Sequence, residues 1–269
     1  MTRQRTLRVE RAGDRTVVTL DRPHTRNAID QAMVDELHEL CAELERDPGI
    51  LIIVGGDGVF ASGADIAELR DRTAQDALAG INTRLFLRIA RLPMPVIAAV
   101  DGWALGGGAE LAYAADFRIG TPRTVFGNPE TGLGIVAAAG ATWRLPALVG
   151  ESLAKQLLLA GRRLNAEEAL RAGLLSEIVE PADLLPAAHR LADRIASMDA
   201  AATIATKALL AAPAEAHPEA ELREQAVLFD SPEKHRRMTE FLEHRKRNAH
   251  AGPDGAAQTA GAEADGGTP

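Results

Sequence analysis

Apolar positions along the chain fall into two kinds of run. Thr16 to Leu20 is a short β-branched run closed by Asp21-Arg22-Pro23, which predicts a strand and then a turn. Ile50 to Val54 and Val96 to Val100 are apolar without alternation, as in strands buried on both faces. Gly55-Gly56-Asp57-Gly58 and Asp101-Gly102 stop them, and Phe117 to Gly120 and Leu174 to Val179 read as further strands. Between these runs the period becomes helical. Met33, Leu37, Leu40 and Leu44 follow Asp30, a candidate N-cap, and Asp47-Pro48-Gly49 ends that helix. A second helix is predicted from Thr73 to Ala90, with Leu78, Ile81, Leu85 and Ile89 on one face, before Pro93 and Pro95 interrupt. Strands alternating with helices predict an α/β architecture with parallel pairing.

Beyond Gly150 the pattern is mostly helical. Asn165 with Glu168 forms a candidate capping box, Gly173 a C-cap, and Ser231-Pro232 the start of a last helix. The expected organisation is a core over residues 1–200, a helical region over 201–249 and a disordered tail over 250–269. That tail carries no large apolar residue, so burial cannot offset its ordering entropy. The start of the chain lacks the apolar segment of a secretory signal, and no run approaches the ~18 apolar residues of a membrane span. A cytoplasmic protein is expected.

Composition narrows the function. Hydrophobic residues make up 46% of the 269, enough for a substantial core. Aromatics at 3% and a net charge of -8 argue against a nucleic-acid surface. The single cysteine, Cys41, excludes an intrachain disulfide and reads as a core residue beside Leu37, Leu40 and Leu44. The seven histidines show no metal-ligand spacing, so no metal site is expected.

Three segments carry candidate chemistry. In Asp101–Asp116, DGWALGGGAELAYAAD, the glycines 106–108 follow a buried strand and open a helix. Such a turn presents free N–H groups to a phosphate or an oxyanion, or serves close helix–strand packing. The spacing matches neither a dinucleotide-binding loop nor a P-loop. Glu110, in the first turn of that helix, is a dipole-compensating carboxylate or a desolvated acid/base. Glu130 follows Asn128-Pro129 in a turn-rich segment, which by itself suggests an exposed loop carboxylate. Val59–Leu69, VFASGADIAEL, feeds a helix capped by Ser62 or Asp65, and Ser62 lacks the setting of a nucleophile.

These pieces occur in one known order. From about Arg8 to Asn248 the chain resembles the enoyl-CoA hydratase/isomerase (crotonase) superfamily. LDRPHTRNAID, FASGADI, PVIAAVDGWALGGGAELAYAAD, FGNPETGLGI and NAEEALRAGLLSEIV are each similar to a family segment. The resemblance implies a spiral of ββα units with a helical C-terminal trimerisation region, and trimers that pair into hexamers. It implies an oxyanion hole from the N–H groups of Ala64 and Gly107, and Glu110 and Glu130 as catalytic acids. His24, Thr25, Arg26, Ser62, Asp65, Ile66, Gly106 and Ala138 would line the acyl-coenzyme A site. The implied reaction is hydration of a 2-enoyl-CoA thioester, with no cofactor beyond the coenzyme A of the substrate. Alternatives are double-bond isomerisation, C–C cleavage, or acyl-CoA binding without catalysis.

Two departures bear on that expectation. Ile135–Leu145, IVAAAGATWRL, has Ala137, Ala138 and Ala141 where the family has Pro and two Gly, and Trp143 where it has Gln. A backbone N–H keeps its direction through Gly→Ala only where φ is negative. Near the C-terminus His244 stands where a Lys is usual. Arg245 and Lys246 are then phosphate candidates, against a plain solvated basic face.

Overall fold

The computed structural model describes residues 5–250, with side chains to Arg247. The chain divides into two compact units, the first ending at Leu210 and the second starting at Ala211. The expected tail over 250–269 lies, past His250, outside the described residues.

The first unit contains β1 (Leu7–Ala12), β2 (Arg15–Leu20), α1 (Gln31–Arg46), β3 (Ile50–Gly55), β4 (Val59–Ala61), α2 (Ile66–Asp71), α3 (Ala74–Ala79) and α4 (Ile81–Ala90). It continues with β5 (Val96–Val100), β6 (Trp103–Leu105), α5 (Gly107–Ala114), β7 (Phe117–Gly120), β8 (Val125–Gly127), α6 (Ala141–Val149) and α7 (Glu151–Ala160). β9 (Arg163–Asn165), α8 (Ala166–Arg171), β10 (Glu177–Ile178), α9 (Leu184–Ala196) and α10 (Ala200–Leu210) complete it.

Two sheets are built in alternation. The larger has the order β1-β2-β3-β5-β7-β10, and the smaller β4-β6-β8-β9. β2, β3, β5, β7 and β10 pair in parallel, with β1 antiparallel at the edge. Each of β3, β5 and β7 is followed by a strand of the smaller sheet, β4, β6 and β8, before the next helix. That is the expected spiral of ββα units.

The unalternating strands are buried on both faces. Leu51, Ile53, Val96, Ala98 and Val100 pack with α1, α4 and α5 in one core. Ile50, Ile52, Ile97, Ala99 and Ile119 pack with Leu184, Ala188 and Ala192 of α9 in the other. Asp30 caps α1, its side chain accepting from the Met33 N–H at 2.8 Å, and Asn165 and Glu168 form the expected capping box.

The structure corrects three expectations. The helix predicted from Thr73 to Ala90 is broken at Gly80, which adopts φ 64° and separates α3 from α4. Leu85 and Ile89 are buried, but Leu78 is 84% exposed, because the break turns α3 away from the core face. The strand read over Leu174–Val179 contracts to β10. The smaller sheet and β1 leave little periodic signal, because β4, β6, β8 and β9 have three residues each and β1 is a mostly polar edge.

The second unit contains α11 (Glu219–Phe229) and α12 (Pro232–His250), and Ser231 Oγ accepts from the Lys234 N–H at the start of α12. Leu222, Val227, Phe229, Met238, Phe241 and Leu242 are exposed on these helices. No helix among the described residues is long and apolar enough to cross a membrane.

Helix α5 lies against β4 at a distance only glycine permits. A Cβ on Gly108 would sit far inside contact with the Ala61 carbonyl and side chain, both backbone-fixed by the smaller sheet. Gly108→Ala therefore destabilises the protein by about 1–3 kcal/mol or more, read as a lower urea midpoint. An unchanged midpoint would show that α5 has slack here.

Candidate active site

The turn from β6 into α5 assigns its three glycines different tasks. Gly106 takes φ 52° and ψ -125° and donates its N–H to Gly127 O at 2.8 Å, tying β6 to β8. Its missing side chain leaves room for Glu130, whose Oε1 lies 3.2 Å from where a Cβ would be. Gly107 begins the helix with a free N–H, and Gly108 permits the packing on β4.

A second free amide comes from the segment after β4. Ile29 donates to Gly63 O at 2.8 Å and accepts from the Asp65 N–H at 3.0 Å, forming a parallel bridge opposite Ala64. In such a bridge the flanking groups bond the neighbour, so the Ala64 N–H faces the other side. Ala64 N lies 3.4 Å from the Cβ position of Gly107. Among the described residues neither the Ala64 nor the Gly107 N–H has a hydrogen-bond acceptor.

Both amides open on a cavity of about 430 Å³ that Glu110 and Glu130 also line. Glu110 is 4% exposed and Glu130 8%. Glu110 Oε1 accepts from the Ala139 N–H at 2.7 Å and the Ala141 N–H at 3.1 Å. Burial raises its pKa to about 7; the Ala141 N–H opposes that shift, the Glu130 charge adds to it, and the Ala139 N–H and Arg144 oppose it. Glu130 begins the 3₁₀ turn Glu130–Leu133, and burial raises its pKa as well. Asn128 Nδ2 approaches Glu130 Oε1 at 3.5 Å, and Asn128 Oδ1 accepts from the Tyr113 hydroxyl at 3.1 Å. Among the described residues Glu130 Oε2 has no hydrogen-bond partner. A buried polar atom left without any partner costs about 1–3 kcal/mol.

The altered loop retains the geometry. Among the described non-glycine residues φ is positive only at Arg26, Asn27 and Asp57, so Ala137, Ala138 and Ala141 meet the condition for keeping their amide directions. Gly140, at φ 130°, remains glycine where the backbone requires it.

The structure brings Ala64, Gly107, Glu110, Glu130, Ser62, Ile66, Gly106 and Ala138 to one cavity wall. His24, Thr25, Arg26 and Asp65 stand outside that wall. Ser62 joins the 24–26 segment to it, donating its Oγ to Thr25 O at 3.2 Å and its N–H to Arg26 O at 3.1 Å. Asp65 caps α2 through the Ala67 N–H and pairs with Arg22 at 3.5 Å. The loop reading of Glu130 as exposed is corrected, because the turn after β8 folds beneath Gly106.

Sequence reasoning missed Asn82, Thr83, Asn128 and Arg144. Asn82, on α4, has Nδ2 3.5 Å from the Cβ position of Gly107 and a buried Oδ1 without a partner. These residues carry no signal except a polar position on an otherwise packed element.

The sequence profile of the enoyl-CoA hydratase/isomerase family matches residues 13–250. The chain belongs to the enoyl-CoA hydratase/isomerase family. It is 39% identical over 241 residues to the crotonyl-CoA hydratase of Syntrophomonas wolfei, covering 86% of this chain and 93% of that protein. It is 40% identical over 194 residues to the short-chain-enoyl-CoA hydratase of Clostridium acetobutylicum, covering 70% and 74%. The crystal structure of an enoyl-CoA hydratase from Bacillus anthracis superposes with a TM-score of 0.84 at 28% identity, over 89% of this chain and 96% of that one. The enoyl-CoA hydratase/isomerase fold thus covers the whole spiral.

The raised pKa of Glu110 has a stability consequence. Its folded value lies above the 4.5 of an unperturbed carboxyl, so the folded state is destabilised as pH rises from 4.5 to about 7 and no further above that. Glu110→Gln keeps an acceptor for both amides and removes the charge. It is expected to stabilise the protein by up to about 3 kcal/mol at pH 8 and negligibly at pH 4.5, measured by urea denaturation at both. Equal effects at the two pH values would contradict the assigned environment.

Proposed function

We propose that this family member is an enoyl-CoA hydratase, adding water across the 2,3 double bond of a 2-enoyl-CoA thioester. The observation that carries the reading is the convergence of two acceptor-free amides and two desolvated carboxyls on one cavity. The names of the relatives, a crotonyl-CoA hydratase and a short-chain-enoyl-CoA hydratase, agree with it.

The thioester oxygen accepts from the Ala64 and Gly107 N–H groups. As negative charge moves onto that oxygen, each such donor contributes roughly 3 kcal/mol. The double bond is thereby polarised and its β-carbon becomes electrophilic. Glu110, ionised and fixed by two amides, holds a water and takes its proton as the oxygen bonds to Cβ. Glu130, whose pKa burial also raises, delivers a proton to Cα as the enolate collapses. The net addition is one water. The proton gained by Glu110 returns to Glu130 through water before the next turnover.

The thioester tail leaves the cavity past Ser62, Ile66 and Ala138 toward the exposed His24 and Arg26, which support binding of the anionic coenzyme. The apolar residues exposed on α11 and α12 support self-association into a homotrimer or a pair of trimers. A cytoplasmic setting fits the same reading.

Purified protein is expected to deplete crotonyl-CoA absorbance with gain of one water by mass. Glu110→Gln and Glu130→Gln should each lower kcat by about 10²–10⁴. Activity should fall as pH drops through about 7, where Glu110 takes up its proton. Failure to hydrate short, medium and aromatic enoyl-CoAs removes the reading. Double-bond isomerisation surviving in Glu110→Gln without hydration replaces it.

A further inference from the structure

The carboxylate of Glu110 is held by a loop that has no regular structure of its own. Between the 3₁₀ turn Glu130–Leu133 and α6, residues 135–140 form neither helix nor strand. One of the bonds that fix them runs to a different element. Thr83, in the first turn of α4, donates its hydroxyl to Ala138 O at 3.0 Å. That carbonyl and the Ala139 N–H belong to one peptide group. The same N–H donates to Glu110 Oε1 at 2.7 Å. A single peptide plane is thus gripped at both ends, by a hydroxyl on one side and a carboxylate on the other.

We propose that Thr83 is a positioning residue for Glu110, acting through the Ala138–Ala139 peptide. Two physical effects support this. A rigid peptide plane has few ways to rotate once both of its polar ends are engaged. In addition, a carbonyl that accepts a hydrogen bond polarises its own amide, which makes the attached N–H a better donor. Loss of the Thr83 hydroxyl frees the plane and weakens the bond to the carboxylate together.

Glu110 Oε1 also accepts from the Ala141 N–H at 3.1 Å, an amide outside the peptide plane that Thr83 grips, and the remaining groups around Glu110 do not duplicate the Thr83 tie. Glu130 faces it from the turn after β8, Arg144 from α6, and Tyr113 lies on its own helix. From α4 the cavity receives Ile81, Asn82 and Thr83, all uncharged, while Arg84 donates to Ala79 O at 2.6 Å. Arg144 Nη1 reaches the loop only at 3.5 Å, on Ala139 O. Arg72, just after α2, and Asp76, on α3, also line the cavity.

Thr83→Val keeps the volume and removes the donor, and Thr83→Ser restores the donor without the methyl. The activity arm rests on the hydratase reading. In it Thr83→Val should lower kcat on crotonyl-CoA roughly 3- to 10-fold, with a smaller change in KM, and move the acid limb of the pH profile to higher pH. The Ala139 N–H favours the ionised carboxylate, so weakening it raises the pKa. Thr83→Ser should return both toward wild type.

A second arm needs no turnover. In protein labelled with 13C-glutamate, the Glu110 carboxyl signal is identified by its loss in Glu110→Gln. Its titration midpoint should rise in Thr83→Val and recover in Thr83→Ser. An unmoved midpoint in Thr83→Val overturns the proposal, as does equal impairment of both variants with an unmoved acid limb. If wild-type protein hydrates nothing while the Glu110 midpoint still rises in Thr83→Val, the hydratase reading falls and the Thr83 tie stands.

Discussion

Two backbone N–H groups without acceptors among the described residues, side by side on a cavity that two buried carboxyls share, set the terms for everything around them. Folded proteins almost always satisfy buried amides. Here the chain leaves two open by construction. One begins α5, where a helix has no internal acceptor to offer. The other faces away from the bridge between Ile29 and Ala64. Holding both in one place requires α5 to lie hard against β4, so Gly108 carries no side chain. It also requires the β6–α5 turn to pass through a conformation that Gly106 adopts readily.

Burial raises the pKa of both carboxyls. Glu110 and Glu130 share the effect but differ in support. Glu110 is more buried and held on one oxygen by two amides. Glu130 keeps an oxygen with no partner and leans on Asn128. A carboxyl fixed by two amides suits water activation, and one with a less engaged oxygen suits proton exchange with carbon. The stability lost by burying Glu110 is the kind of concession a functional site makes. The three alanines that stand where the family has Pro and two Gly all keep negative φ, and the position of this loop with positive φ is Gly140.

Local signals made much of this legible in the sequence. The Asp30 cap, the Asn165–Glu168 capping box and the unalternating β3 and β5 all depend on neighbours within a few residues. The glycine run was visible too, although its division into turn, donor and close packing was not, since that depends on β4 and Glu130. The smaller sheet escaped detection because three-residue strands are too short to show a period. Gly80 hid inside a plausible apolar face. Glu130 looked like a loop carboxylate because its burial comes from Gly106 and Asn128, brought over it by the fold. Asn82 and Thr83 were silent because an uncharged polar residue on an amphipathic helix announces nothing until its partner across the cavity is known.

The central claim is that one oxygen is shared by the Ala64 and Gly107 amides. A crystal structure of the protein with a bound, unreactive acyl-CoA thioester tests it most directly. The account predicts the thioester oxygen within about 2.7–3.1 Å of both nitrogens. A fully occupied thioester whose oxygen lies beyond hydrogen-bond reach of either amide would contradict it.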